Sequence, residues 1–159
     1  MSEMHLCRLL YRSEAAIPGS RQAVEAVVDG IVRSSSKSNA TAGITGALVF
    51  ASGTFIQALE GSARSVEATF ERICCDLRHR QFQLLAVTTA SSRVFSDWAM
   101  VRSRPGVDLA RLCPASVSEP QLQQASAAEA IRIMRIALLR EGAAGARPLA
   151  SLPAYSMPC

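Results

Sequence analysis

The chain has 159 residues, with 17 Lys or Arg against 13 Asp or Glu and a formal net charge of +4. Its 49% hydrophobic and 19% charged residues are a globular composition, which excludes disorder and allows one domain with a modest extension rather than two full domains. No stretch holds the roughly 18 apolar residues a membrane span needs, and the basic residues, of which only Lys37 is lysine, are too scattered to form a tail for nucleic acid.

In chain order, Glu3 stands where a secretion signal needs positive charge, so none is read. The five cysteines, Cys7, Cys74, Cys75, Cys113 and Cys159, are therefore expected as reduced thiols in a cytoplasmic protein. Two histidines without paired ligand spacing give no zinc site. His5 to Arg12 reads as a strand, with Cys7, Leu9 and Tyr11 on one face and Arg8 and Arg12 on the other. Ser20 caps a first helix whose Val24, Val27, Val28, Ile31 and Ser35 share a face. The polar run Ser34 to Asn39 has low helix propensity, so the helix is expected to stop there.

Ile44 to Phe50 and Thr54 to Glu60 form two strands joined at Ala51-Ser52-Gly53, a hairpin with glycine in the turn. Gly61-Ser62 caps a second helix with the apolar stripe Val66, Phe70, Ile73, Cys74 and Leu77. Phe82 to Thr89 is a fourth strand, and Trp98 to Arg102 a short fifth, stopped by Pro105-Gly106. The fold class is α+β: a ferredoxin-like βαββαββ sheet with two helices on one face, followed by C-terminal helices. The expected division is a domain over 1–104, a helical extension over 105–141 and a flexible tail over 142–159. The extension holds a short turn at Asp108 to Leu112 and a helix from Glu119 to Arg140, apolar on more than one side.

The sequence has no phosphate-binding glycine loop and no nucleophile elbow. His79 follows a helix beside Asp76, Arg78 and Arg80, where basic residues ordinarily complement the helix dipole. Three other polar side chains stand out. Tyr11 lies on the apolar face of its strand and needs a partner for its hydroxyl if buried. Gln57 shares a face with Phe55 and Leu59, so its amide must be hydrogen-bonded or costs about 1–3 kcal/mol. Asn39 follows the first helix. Singly they read as a core tyrosine, a buried glutamine and a capping asparagine. Together they place hydrogen-bonding groups at one helix–sheet interface, as a ligand pocket does.

The segments Leu9-Leu10-Tyr11-Arg12-Ser13, Asn39 with Gly43-Ile44-Thr45-Gly46-Ala47-Leu48, Gly53 through Gly61, Asp76-Leu77-Arg78-His79 and Arg93-x-Phe95-x-x-Trp98-x-Met100 occur in order over Leu6 to Met100. In that order and spacing the chain resembles the BLUF family of blue-light sensors that use FAD. The resemblance implies a photoreceptor that binds FAD without a covalent link. It makes Tyr11 the electron and proton donor and Gln57 the relay between tyrosine and flavin. Trp98 and Met100 become the fifth-strand pair near the glutamine. For the cofactor it implies Ile31, Ser35, Asn39, Leu48, Phe55, Gln57, Ile73, Asp76, Arg78 and His79. Ser38 departs from the His or Asn often found at that position in the family.

The stretch from Pro105 to Cys159 is too short for a cyclase or phosphodiesterase, so a sensor without its own catalytic output is expected. It would signal through a protein partner or as a homo-oligomer, with no role for nucleic acid or membrane. Two alternatives are a flavin-free adaptor on the same fold, suggested by Ser38, and a small hydrolase. Against the hydrolase, Ser13-Glu14-Ala15-Ala16 lacks the arginine loop such an enzyme requires.

Overall fold

The structure is a computed structural model, and it describes residues 5–96, 98–103 and 120–140. Strand β1 (Leu6–Ala15) is followed by helix α1 (Arg21–Ala42), strands β2 (Thr45–Ala51) and β3 (Thr54–Ser62), helix α2 (Ala63–Cys74), strands β4 (His79–Ala90) and β5 (Val101–Ser103), and helix α3 (Pro120–Arg140). Ser20 and Ser62 are the N-caps of α1 and α2, each accepting from the backbone N–H three residues on, at 3.2 Å. The β2–β3 hairpin turns on Ser52 and Gly53, with φ of 50° and 73°. Two positive φ angles in a two-residue loop match the twist of the flanking strands.

The sheet order is β4-β1-β3-β2-β5, antiparallel throughout except for the parallel β2–β5 pair. Period-two alternation gives this sheet two different cores. Leu9, Tyr11, Leu48, Phe55 and Leu59 pack with Val28, Ile31 and Val66 under α1 and α2. Leu10, Ala47, Val49, Ile56 and Ala58 pack with Ala127, Ala130, Ile131, Met134 and Leu138 of α3 on the other side.

Several boundaries differ from the sequence expectation. Helix α1 does not stop in the serine run. It continues to Ala42 and ends at Gly43, whose φ of 69° supplies the left-handed cap, with Ile44 N–H bonded back to Asn39 O at 2.8 Å. Tertiary contacts override the weak propensity of the run, since Asn39 is buried against the segment after β4. Helix α2 ends at Cys74, which leaves Leu77 outside its stripe and 89% exposed. Strand β4 begins at His79 rather than Phe82, which moves His79 from a helix terminus into the sheet. Strand β5 begins at Val101, not Trp98. Helix α3 buries one stripe on the sheet, while Ile133 and Ile136 stay half-buried and Leu139 is exposed. The short turn at Asp108 to Leu112, the expected helix start at Glu119 and the tail over 142–159 lie outside the described residues.

Candidate functional site

The antiparallel register of β1 and β3 sets Tyr11 directly opposite Gln57, and that of β2 and β3 sets Leu48 on the other side of Gln57. All three point toward α1 and α2. Tyr11 has no exposed surface, and its hydroxyl donates to Gln57 Oε1. The same amide turns Nε2 toward Met100 Sδ at 3.6 Å. A thioether is a weak acceptor, so this side of the glutamine is held loosely while the phenol side is held firmly. Burial pushes the Tyr11 phenol far above its ordinary pKa, and the neighbouring Cys74 and Asp76 add to the shift. The group therefore stays protonated at all ordinary pH values. Phe70 and Phe82 pack against its ring at 5.3 and 5.8 Å between centroids.

Asn39, from the last turn of α1, donates through Nδ2 to Ala99 O at 2.9 Å. It thereby joins α1 to the segment that carries Met100. A second buried polar pair lies behind Phe55, where Ser13 Oγ and His79 Nδ1 are 2.9 Å apart. The His79 ring stacks near Phe55 and Phe82. Burial holds its pKa below the ordinary value. Asp76 pulls it upward and Arg78 downward, and the net direction is down. Asp76 is engaged by the Arg78 guanidinium at 2.6 and 2.9 Å, which holds its carboxyl below the usual range.

Above this floor, α1 and α2 border a cleft of about 150 Å³. Helix α1 contributes Ser34, Ser35, Ser38 and Asn39, and α2 contributes Thr69, Arg72 and Ile73. Gln57 forms the base, with Asp76 just beyond α2. The volume is below the roughly 300–1,000 Å³ of closed ligand pockets, so the cleft takes one end or edge of a larger molecule. Its donor set fits a flavin: two amides for the polar ring edge, an aliphatic side chain for a ring face, and hydroxyls with one guanidinium for an anionic tail.

The structure thus brings Ser35, Asn39, Gln57, Ile73 and Asp76 to the cleft and sets Tyr11 and Met100 behind the glutamine. Ile31, Leu48, Phe55 and His79 lie in the packed layer beneath, and Arg78 is exposed beside Asp76. Trp98 and Met100 part company. A strand over 98–102 would put both on one face, but with the strand starting at Val101 the chain bends between them. Met100 enters the α1–α2 core and Trp98 the α3 core. Ser13, Thr69 and Arg72 were missed by sequence reasoning. Thr69, Arg72, Ile73 and Asp76 follow i, i+3, i+4, i+7 spacing, and that mixed stripe was a usable signal.

Residues 6–101 match the family described as BLUF, sensors of blue-light using FAD. The photoactivated adenylate cyclase subunit beta of Euglena gracilis is 34% identical over 96 residues, covering 60% of this chain and 11% of that protein. The alpha subunit from the same organism is 33% identical over 95 residues, covering 60% and 9%. The chain therefore spans about a tenth of the length of these curated relatives. Among solved structures, the dark state of BlrB, a BLUF protein, aligns with a TM-score of 0.64 and 25% identity over 87% of this chain and 98% of that one. A bacterial light-regulated adenylyl cyclase aligns with a TM-score of 0.56 and 26% identity over 86% and 36%.

Proposed function

This chain belongs to the BLUF family, the sensors of blue light using FAD, and from that premise we propose that Tyr11 and Gln57 carry its light response and that the signal leaves through protein contact at α3. The observation that carries the reading is the buried sequence of contacts from Tyr11 Oη through the Gln57 amide to Met100 Sδ at the base of the cleft. When bound, FAD supplies a chromophore that becomes a strong one-electron oxidant on absorbing blue light. Asn39 and Gln57 are the groups that hold its polar edge, Ile73 a ring face, and Ser35 with Arg72 the remainder. Ile31, Leu48, Phe55 and His79 stiffen the layer underneath, while Asp76 and Arg78 border the open end.

Tyr11 is the electron and proton donor. Its raised pKa keeps the phenol neutral in the dark, and loss of an electron makes the same hydroxyl strongly acidic. The proton then has one short path, to Gln57 Oε1. Gln57 carries a donor and an acceptor on one amide. On receiving the proton at Oε1 the amide hands one on from Nε2 toward the cleft. When the electron and a proton return to Tyr11 the phenol is restored, while Gln57 is left rotated or tautomeric, with the weak Nε2 contact to Met100 given up. No covalent bond is made, so the state decays and the cycle is reversible. The partner is another protein or a second copy of this chain, and the site of action is the cytoplasm. Among the described residues no helix is long and apolar enough to cross a membrane.

The test is optical. The purified protein binds FAD and is yellow, and blue light gives a reversible red shift of its absorption. Tyr11→Phe keeps the flavin but gives no shift. A Tyr11→Phe protein with the wild-type shift contradicts the assignment, and a folded wild-type protein that takes up no FAD contradicts the reading of the cleft.

A further inference from the structure

The segment between β4 and β5, which carries Trp98 and Met100, is held by side chains rather than by a strand ladder. The centre of the attachment is Glu60, which is 1% exposed. Its Oε1 accepts from Val94 N–H at 2.9 Å and Phe95 N–H at 2.7 Å, and its Oε2 from Arg8 Nε at 2.8 Å. Arg8 also donates through Nη2 to Ser92 O at 3.0 Å. Arg93 completes the attachment, reaching Thr45 Oγ1 at 2.9 Å, Glu60 O at 3.0 Å and Gly43 O at 2.8 Å. Further along, Trp98 O accepts from Gly46 N–H at 3.0 Å and Ala99 O accepts from Asn39.

We propose that Glu60 is a positioning residue of the light response: its carboxylate clamps the segment that presents Met100 to Gln57. Glu60 stands three residues beyond Gln57 on the same strand, and its long-range bonds to Val94 and Phe95 go to the segment that bears Met100. A buried carboxylate gathering two backbone N–H groups and a guanidinium is a stiff, charge-assisted anchor. Strand β3 therefore carries both the relay and the clamp, and the offset between β3 and the Met100 segment is set at Glu60. The fit of Met100 Sδ against Gln57 Nε2, a weak contact that cannot hold a segment in place, is inherited from it. The proposal rests on the reading of Gln57 as the relay.

Trp98 is the only tryptophan in the chain and is 7% exposed, so its emission reports where the segment sits. The experiment compares FAD-loaded wild type with Glu60→Gln and Glu60→Ala. Glu60→Gln keeps the volume and an acceptor and so preserves the fold if Glu60→Ala does not. Two readouts are taken: acrylamide quenching of Trp98 in the dark, and the rate of dark recovery after blue light. Quenching rises several-fold in either folded variant. Recovery slows by about tenfold, because the loss of charge-assisted bonds is an effect of that size and Met100 must re-dock without its anchor. Lower thermal stability with wild-type quenching and recovery overturns the proposal and leaves Glu60 a purely structural group. So does raised quenching with unchanged recovery. A wild-type protein that shows no light response contradicts the reading of Gln57 instead, and the dark quenching then decides the clamp by itself.

Discussion

Along β3, successive side chains enter two unlike environments. Phe55, Gln57 and Leu59 face α1 and α2, where the core is broken by Tyr11, Asn39, Ser13 and His79 and opens into a cleft. Ile56 and Ala58 face α3 and meet an apolar layer, with Leu10, Phe95, Trp98 and Met134, and the polar groups of that face gather at its end around Glu60. The difference teaches how one sheet divides two tasks. Polar groups are tolerated on the first face because each has a partner. The second face has the apolar contact through which, on the proposed reading, strand movement would be felt by a helix. Met100 and Trp98, two residues apart and on opposite faces, connect the two.

The sharpest way to break the comparison is at Gln57. Gln57→Leu leaves Tyr11 without its acceptor and Met100 without its donor, so the light-induced red shift disappears while FAD stays bound. Absorption spectra before and after blue light check this, and a wild-type shift would show that the polar face is not the photochemical one. The complementary change is on the other face. Met134 is fully buried against the sheet, so Met134→Ala lowers stability by about 2–5 kcal/mol in chemical denaturation yet keeps the red shift. Loss of the shift in that variant would mean that the two faces do not divide the work.

Asn39 tests the seam between them. Asn39→Ala strips Ala99 O of its donor, which costs about 1–3 kcal/mol, and removes an amide from the cleft. Titration with FAD is expected to show affinity weakened by about tenfold, with a red shift still present in the loaded protein. The smallest effect concerns His79, whose pKa lies below its ordinary value of 6.5 because it is buried. The unfolded chain then binds the proton more readily than the folded one, so stability is full above about pH 6.5 and falls as the pH drops below it. Melting temperatures from pH 8 to pH 5 fall more steeply for the wild type than for His79→Gln. Parallel curves would remove His79 from the acid sensitivity.

Much of this two-faced arrangement was legible in the sequence. Period two placed Tyr11 and Gln57 inward and Arg8 and Arg12 on the opposite face, serine caps marked both early helices, and Ser-Gly marked the hairpin. What the sequence hid depends on contacts between distant residues. The serine run looked like the end of α1 because propensity is local, while the bond from Asn39 to Ala99 that stabilises its last turn spans sixty residues. The pairing of Ser13 with His79 arises from the register of β1 and β4. The separation of Trp98 from Met100 follows from where β5 begins, and no residue pattern announced that boundary.

The central claim is that light taken up on the α1–α2 face is reported on the α3 face. Hydrogen exchange of Pro120–Arg140 in the FAD-loaded protein, in darkness and under blue light, tests it most directly. The account predicts that protection around Ile131, Met134 and Leu138 changes on illumination, returns with dark recovery, and does not change in Gln57→Leu. Identical protection in dark and light, in a wild-type protein whose absorption does shift, would contradict it.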